Sequence, residues 1–146
     1  MLEFPPHQEV EPGALVVIPS TKEVGLESQN SAPWWSLFVD GASNSDGAGA
    51  GIELISFEAH KIRRGTHPAF HATNNDAEYE ALINGLKLTV ETKVENLNVF
   101  SDSMIVVYQI NGGYQAKGPR TEIYLKCAQR IIVRFNEVRM ELIPRG

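Results

Sequence analysis

From Trp34 onward, apolar and polar positions alternate in blocks that change period, and the changes mark out the elements. Residues 34–41 are aromatic and β-branched enough for a first strand, with the turn-forming run Ser43-Asn44-Ser45-Asp46-Gly47 after it. Period 2 puts Phe38 and Asp40 on one face of that strand. A second strand is expected over 49–57 and a third over 60–67, joined by short connections into an antiparallel meander. Period 3.6 then takes over, and residues 73–92 read as the strongest helix. Asn75 is its expected cap, with Glu78 three residues on in a capping-box spacing. Glu78 shares a stripe with Leu82, Leu86 and Val90, which should face a sheet, while Asp76, Glu80, Asn84, Lys87 and Glu91 form the polar face. Residues 96–102 return to strand texture, with Phe100 and Asp102 on one face. A short helix over 103–111 is broken by Gly112-Gly113. Pro119 opens a longer helix, about 120–135, with Ile123, Tyr124, Ala128, Ile131 and Phe135 as its apolar face. Residues 137–143 alternate as a last strand.

Residues 1–33 differ in texture. Pro5, Pro6, Pro12, Pro19 and Pro33 punctuate them, and their acids are scattered without helical period. They read as an acidic linker or tail ahead of one domain, residues 34–146. Within them the run Leu15-Val16-Val17-Ile18 either pairs as a short strand or stays loosely ordered.

The order strand, helix, strand after the meander implies a right-handed crossover, which makes the 96–102 strand parallel to a neighbour. If that neighbour is the first strand, Asp40 and Asp102 end side by side at its carboxyl edge, with Glu78 above them from the helix start. Three acids from three elements would then sit on buried-side stripes. Each has a plainer reading: Asp40 as a turn-capping side chain, Glu78 as an N3 residue completing the helix cap.

Composition narrows the class. The chain has 146 residues, 42% of them hydrophobic, enough for one domain with a proper core. It has no apolar run long enough to span a membrane and no basic-then-apolar leader. Its single cysteine, Cys127, excludes an internal disulfide and suits a helix's apolar side in a reducing intracellular compartment, cytoplasm or nucleus. The formal charge is −5, but it is uneven. Residues 1–33 carry five acids and one base (Lys22), a net −4, whereas residues 34–146 carry thirteen acids and twelve bases, a net −1. Charge therefore does not argue against a nucleic-acid partner. His60, Lys61, Arg63, Arg64, His67 and the nearby His71 make the third strand either a solvated edge or a phosphate-facing strip. No phosphate-binding glycine loop opens a helix, and no serine sits on a nucleophile elbow. Paired acids of a glycosidase would want an aromatic sugar platform that the chain lacks.

Carboxylates held close together repel one another and call for divalent cations. Ligation by oxygen alone, without His or Cys, suits Mg²⁺ or Mn²⁺. Two such ions about 4 Å apart serve in-line phosphoryl displacement.

Three strings in order, Phe-Val-Asp-Gly-Ala-Ser-Asn at 38–44, Thr-Asn-Asn-Asp-Ala-Glu-Tyr-Glu-Ala-Leu at 73–82 and Val-Phe-Ser-Asp-Ser at 99–103, resemble the ribonuclease H family. More narrowly they resemble the ribonuclease H domain of plant gypsy-type long-terminal-repeat retrotransposon polyproteins, from about Trp34 to the end. The resemblance implies an α/β fold, a five-stranded mixed sheet flanked by helices. It implies Mg²⁺- or Mn²⁺-dependent cleavage of the RNA strand of RNA–DNA hybrids, with two ions in the complete site. The family's metal-binding acids fall on Asp40, Glu78 and Asp102. Asn44, Thr73, Asn74, Asn75 and Ser103 match positions along the substrate, where amides and hydroxyls meet 2′-hydroxyls and phosphates. Residues 1–33 would resemble the tether to a reverse transcriptase in the same polyprotein. Two departures are visible. Met104 stands where many members carry glutamine. The family also has a fourth acid in a helix beyond the last strand, often preceded by a histidine, and the chain stops at Gly146 before it. The domain is thus expected to lack its C-terminal helix. The competing reading is a truncated, non-catalytic module that binds nucleic acid or a protein partner.

Overall fold

The structure is a computed structural model, and it describes residues 15–19, 32–44, 47–66 and 73–144. In chain order the elements are β1 (Leu15–Pro19), β2 (Trp34–Asn44), β3 (Gly47–Ile55), β4 (Lys61–Thr66), α1 (Asn74–Glu91), β5 (Asn96–Ser101), α2 (Met104–Ile110), α3 (Pro119–Ile132) and β6 (Glu137–Leu142). The elements expected from Trp34 onward are all present, with ends displaced by one to three residues. The five expected strands form one mixed sheet in the order β6-β5-β2-β3-β4. β2, β3 and β4 are the antiparallel meander. The crossover through α1 lays β5 parallel to β2, Trp34 opposite Asn96 through Val39 opposite Ser101.

A sixth strand extends this sheet. β1 pairs antiparallel with the outer edge of β6, Leu15 opposite Glu141 through Pro19 opposite Glu137. The segment read as a tail therefore lends one strand to the sheet; residues 1–14 and 20–31 lie outside the described residues. So do His67 and His71 of the expected basic strip. Lys61, Arg63 and Arg64 lie on β4, which is an edge strand, and all three are exposed. Arg63 is hydrogen-bonded to Glu53 across the β3–β4 ladder, which holds the Glu53 carboxyl below its ordinary value.

The helices cover one face. Leu37, Val39, Ile52, Leu54, Leu97, Val99, Val138 and Met140 point from the sheet into a core shared with Leu82 and Leu86 of α1. α1 lies closest at Gly85: a Cβ there would meet a Leu37 methyl at 2.9 Å and an Ile52 methyl at 3.2 Å. Glycine is what lets the helix sit this near the strands. The opposite face carries the alternate residues. Phe38 stacks on Phe100 there, 4.6 Å between ring centroids, and the Arg139 guanidinium lies 4.2 Å over the Trp34 ring.

Several helix expectations are corrected. Thr73, not Asn75, caps α1, and the capping box closes with Asp76, not Glu78. The helix starts two residues earlier than the Asn75 reading requires, which moves N3 back to Asp76 and frees Glu78 to turn toward the sheet. Asp76 is consequently buried, not on an outer polar face, and Glu80 is half-buried because α3 packs over it. On α3, Ile123 is 68% exposed, while Ala128 and Ile132 make the buried contacts. α3 ends at Ile132, so Phe135 reaches the core from the turn that follows.

Candidate active site

Each acid of the expected trio is placed by a different local rule. Asp40 follows Phe38 on the face away from the helices and is exposed. Asp102 lies just past the end of β5 and is half-buried. Because Val39 pairs with Ser101 in the parallel β2–β5 ladder, Asp40 and Asp102 occupy the next level of two neighbouring strands, which run about 4.8 Å apart. Glu78 comes from the helix side, on the stripe it shares with Leu82 and Leu86, and is 2% exposed. Asp40 does not end its strand as expected, since β2 runs on to Asn44; it lies level with the end of β5, and the three acids do not share a common inward stripe. The pleat sends Asp40 to one face and the helix delivers Glu78 to the other.

Ser101 links these parts. Its hydroxyl donates to the Glu78 carboxylate and accepts from the backbone N–H of Ser103 at 3.0 Å. A buried glutamate is thus tied to the end of β5, one residue from Asp102. The sequence pattern alone does not mark Ser101 as a site residue. Its signal was a hydroxyl at an inward position of an otherwise apolar alternation, after Leu97 and Val99. Among the described residues, no three acid, histidine or cysteine side chains are disposed as a ready metal-binding group.

The expected substrate residues surround this end of the sheet. Thr73 caps α1, its Oγ1 accepting from the Asp76 N–H at 3.1 Å. Ser103 caps α2, its Oγ accepting from the Val106 N–H at 3.2 Å. Both hydroxyls accept in the cap and keep their own proton to donate. Asn74 is exposed. Asn75 borders a groove of about 530 Å³ whose other walls include Ile105, Gln109, Tyr114, Lys117 and Thr121. Asn44 is the last residue of β2. Met104, in place of a glutamine, is 44% exposed at the start of α2.

Comparison with known proteins decides the family. A family model described as reverse transcriptase-like matches residues 38–146. The chain belongs to this reverse transcriptase-like family. Its relatives show that the matched segment is a ribonuclease H-like domain. Ribonuclease HI of Halobacterium salinarum is 28% identical over 111 residues, covering 75% of this chain and 56% of that protein. The crystal structure of the RNase H1 from the same archaeon superposes with a TM-score of 0.71 at 26% identity, over 77% of this chain and 86% of that one. The bifunctional protein Rv2228c of Mycobacterium tuberculosis is 31% identical over 112 residues, 74% of this chain and 30% of that protein. Its N-terminal RNase H domain gives a TM-score of 0.68 at 28% identity, over 78% of this chain and 84% of that one. LC11-RNase H1, solved in complex with an RNA/DNA hybrid, gives 0.62 at 26% identity, over 76% of this chain and 86% of that one. The reverse transcriptase-like chain therefore spans only 30–56% of the length of these curated relatives.

Proposed function

We propose that this domain cleaves the RNA strand of RNA–DNA hybrids, and that Asp40, Glu78 and Asp102 are its catalytic, metal-holding acids. What supports the reading is the β2–β5 register, which sets Asp40 level with Asp102, together with the Ser101 bond that ties Glu78 to the end of β5, in a ribonuclease H-like fold. The donor set is all oxygen, which fits a hard divalent cation such as Mg²⁺ or Mn²⁺ and not zinc. Asp40, Glu78 and Asp102 would hold such ions, two in the complete site, which would supply water activation and stabilisation of the leaving oxygen in an in-line phosphoryl displacement. The protein's own part is positioning. Ser101 holds Glu78 toward the end of β5, and the β2–β5 register holds Asp40 beside Asp102. The hydroxyls of Thr73 and Ser103, and the amides of Asn44, Asn74 and Asn75, are suited to phosphates and 2′-hydroxyls, the group that distinguishes RNA from DNA. A relative solved with an RNA/DNA hybrid supports this substrate class.

The reverse transcriptase-like description of the family supports a wider reading. The domain would act beside a reverse transcriptase in a plant gypsy-type retroelement polyprotein, inside the cell, with most of residues 1–33 as the tether. No helix among the described residues is long and apolar enough to cross a membrane.

The test is cleavage of a hybrid labelled on its RNA strand, in Mg²⁺, in Mn²⁺ and in EDTA, beside duplex DNA and duplex RNA of the same sequence. Cleavage of the hybrid's RNA strand alone, abolished by EDTA, is expected. Binding without cleavage in either metal would contradict the catalytic reading and leave a hybrid-binding module.

A further inference from the structure

The first turn of α3 is mixed in charge, Glu122 suiting the helix dipole and Arg120 opposing it. Gly118, at φ 91°, caps it without a side-chain hydrogen bond, Pro119 follows, and Arg120 then puts a cation where a helix N-terminus favours an anion. What holds Arg120 there lies on another helix. Its Nη1 donates to Oδ2 of Asp76 at 2.8 Å, and Asp76 is 5% exposed. The same oxygen accepts the backbone N–H of Thr73 at 3.4 Å, closing the α1 capping box. One turn further on, Tyr124 donates to Glu80 at 2.7 Å and stacks on Tyr79 with centroids 5.6 Å apart. Residues 76 and 80 on α1 thus meet residues 120 and 124 on α3 as two rungs. The first rung ends in the cap that carries Thr73, Asn74 and Asn75, beside a groove of about 420 Å³ that Thr73, Asn75 and Arg120 help to line.

We propose that Arg120 is a positioning residue: through Asp76 it fixes the Thr73 cap, and thereby the placement of Asn74 and Asn75 against the hybrid. This rests on the proposed function, since it presumes that the 73–75 strip meets substrate. The side-chain bond of Arg120 is to Asp76 in the α1 cap, so its effect falls on substrate affinity.

The test combines steady-state cleavage of a labelled hybrid with amide exchange in the free protein. Arg120→Ala is expected to raise KM about 3- to 10-fold while kcat stays within about twofold. Arg120→Lys, which keeps the charge but not the planar fork, restores part of that loss. Asp76→Asn raises KM alike, and the double variant is no worse than either single one. Exchange at the Asp76 and Ala77 amides quickens in Arg120→Ala. Arg130→Ala, in the exposed last turn of α3, changes none of these. An unchanged KM in Arg120→Ala, a kcat loss without a KM change, or additive single effects would each overturn the proposal. A wild-type chain that cuts no hybrid would contradict the proposed function instead. Exchange then decides the link alone: faster at Asp76 and Ala77 in Arg120→Ala upholds it, unchanged overturns it.

Discussion

A single hydroxyl shows how the candidate site is held. Ser101 joins a buried carboxylate to the end of a strand, and hydrogen bonds to charged groups contribute more than neutral ones. Replacing Ser101 with Ala removes a donor from Glu78 where water does not easily substitute, and should cost about 1–3 kcal/mol in denaturant unfolding. The cost should shrink in Glu78→Gln, because the charge that makes the bond strong has gone. Equal losses in both backgrounds would mean that Ser101 matters only for packing. The sequence offers all three acids as candidates, Asp40 and Asp102 two residues after a strand phenylalanine and Glu78 at the head of a helical apolar stripe. It did not show which face each would take. Period 2 says that Phe38 and Asp40 go together, but the covered face was that of Leu37 and Val39, and only the packing of α1 decides that.

At the scale of elements, α1 and α3 are joined by polar contacts that period alone does not show. Asp76, Glu80 and Tyr124 looked like ordinary surface or core positions along their own helices, and their roles come from the partner helix. Tyr79 is buried in this seam and donates to Gln109 of α2 at 2.7 Å. Burial pushes its phenol well above the ordinary 10.0. The sign follows directly. Below pH 10.0 the folded and unfolded chains both hold the proton, and the stability is fully present; as pH rises further the unfolded chain ionises first and stability falls. A stability-against-pH series should therefore bend downward above that point. Tyr79→Phe should flatten the bend while losing about 1 kcal/mol at neutral pH with the Gln109 hydrogen bond. A bend of the same depth in the variant would place its origin elsewhere.

Across the whole molecule, the meander and the crossover were legible from Trp34 onward, because alternation, turn residues and one long amphipathic helix leave few topologies open, whereas the place of β6 beside β5 was not. The sixth strand was not fixed in the same way. Leu15–Ile18 reads as a strand only once β6 offers an edge, a partner more than a hundred residues away. Deleting residues 1–20 should cost about 1–3 kcal/mol, from five lost cross-strand pairs, and leave β6 as an open edge that promotes self-association. Unfolding and sedimentation of the shortened chain would check both; an unchanged midpoint would mean that β1 adds nothing to stability. The central claim concerns Asp40 on β2 and its proposed partners Asp102 and Glu78 near the end of β5. It is tested most directly by measuring hybrid binding and RNA-strand cleavage side by side for the wild-type chain and Asp40→Asn, with Glu58→Gln on the exposed β3–β4 turn as control. The account predicts that Asp40→Asn abolishes cleavage, still binds hybrid, and melts no lower than wild type in EDTA, because it removes like-charge repulsion. Cleavage by Asp40→Asn at the wild-type rate would contradict it.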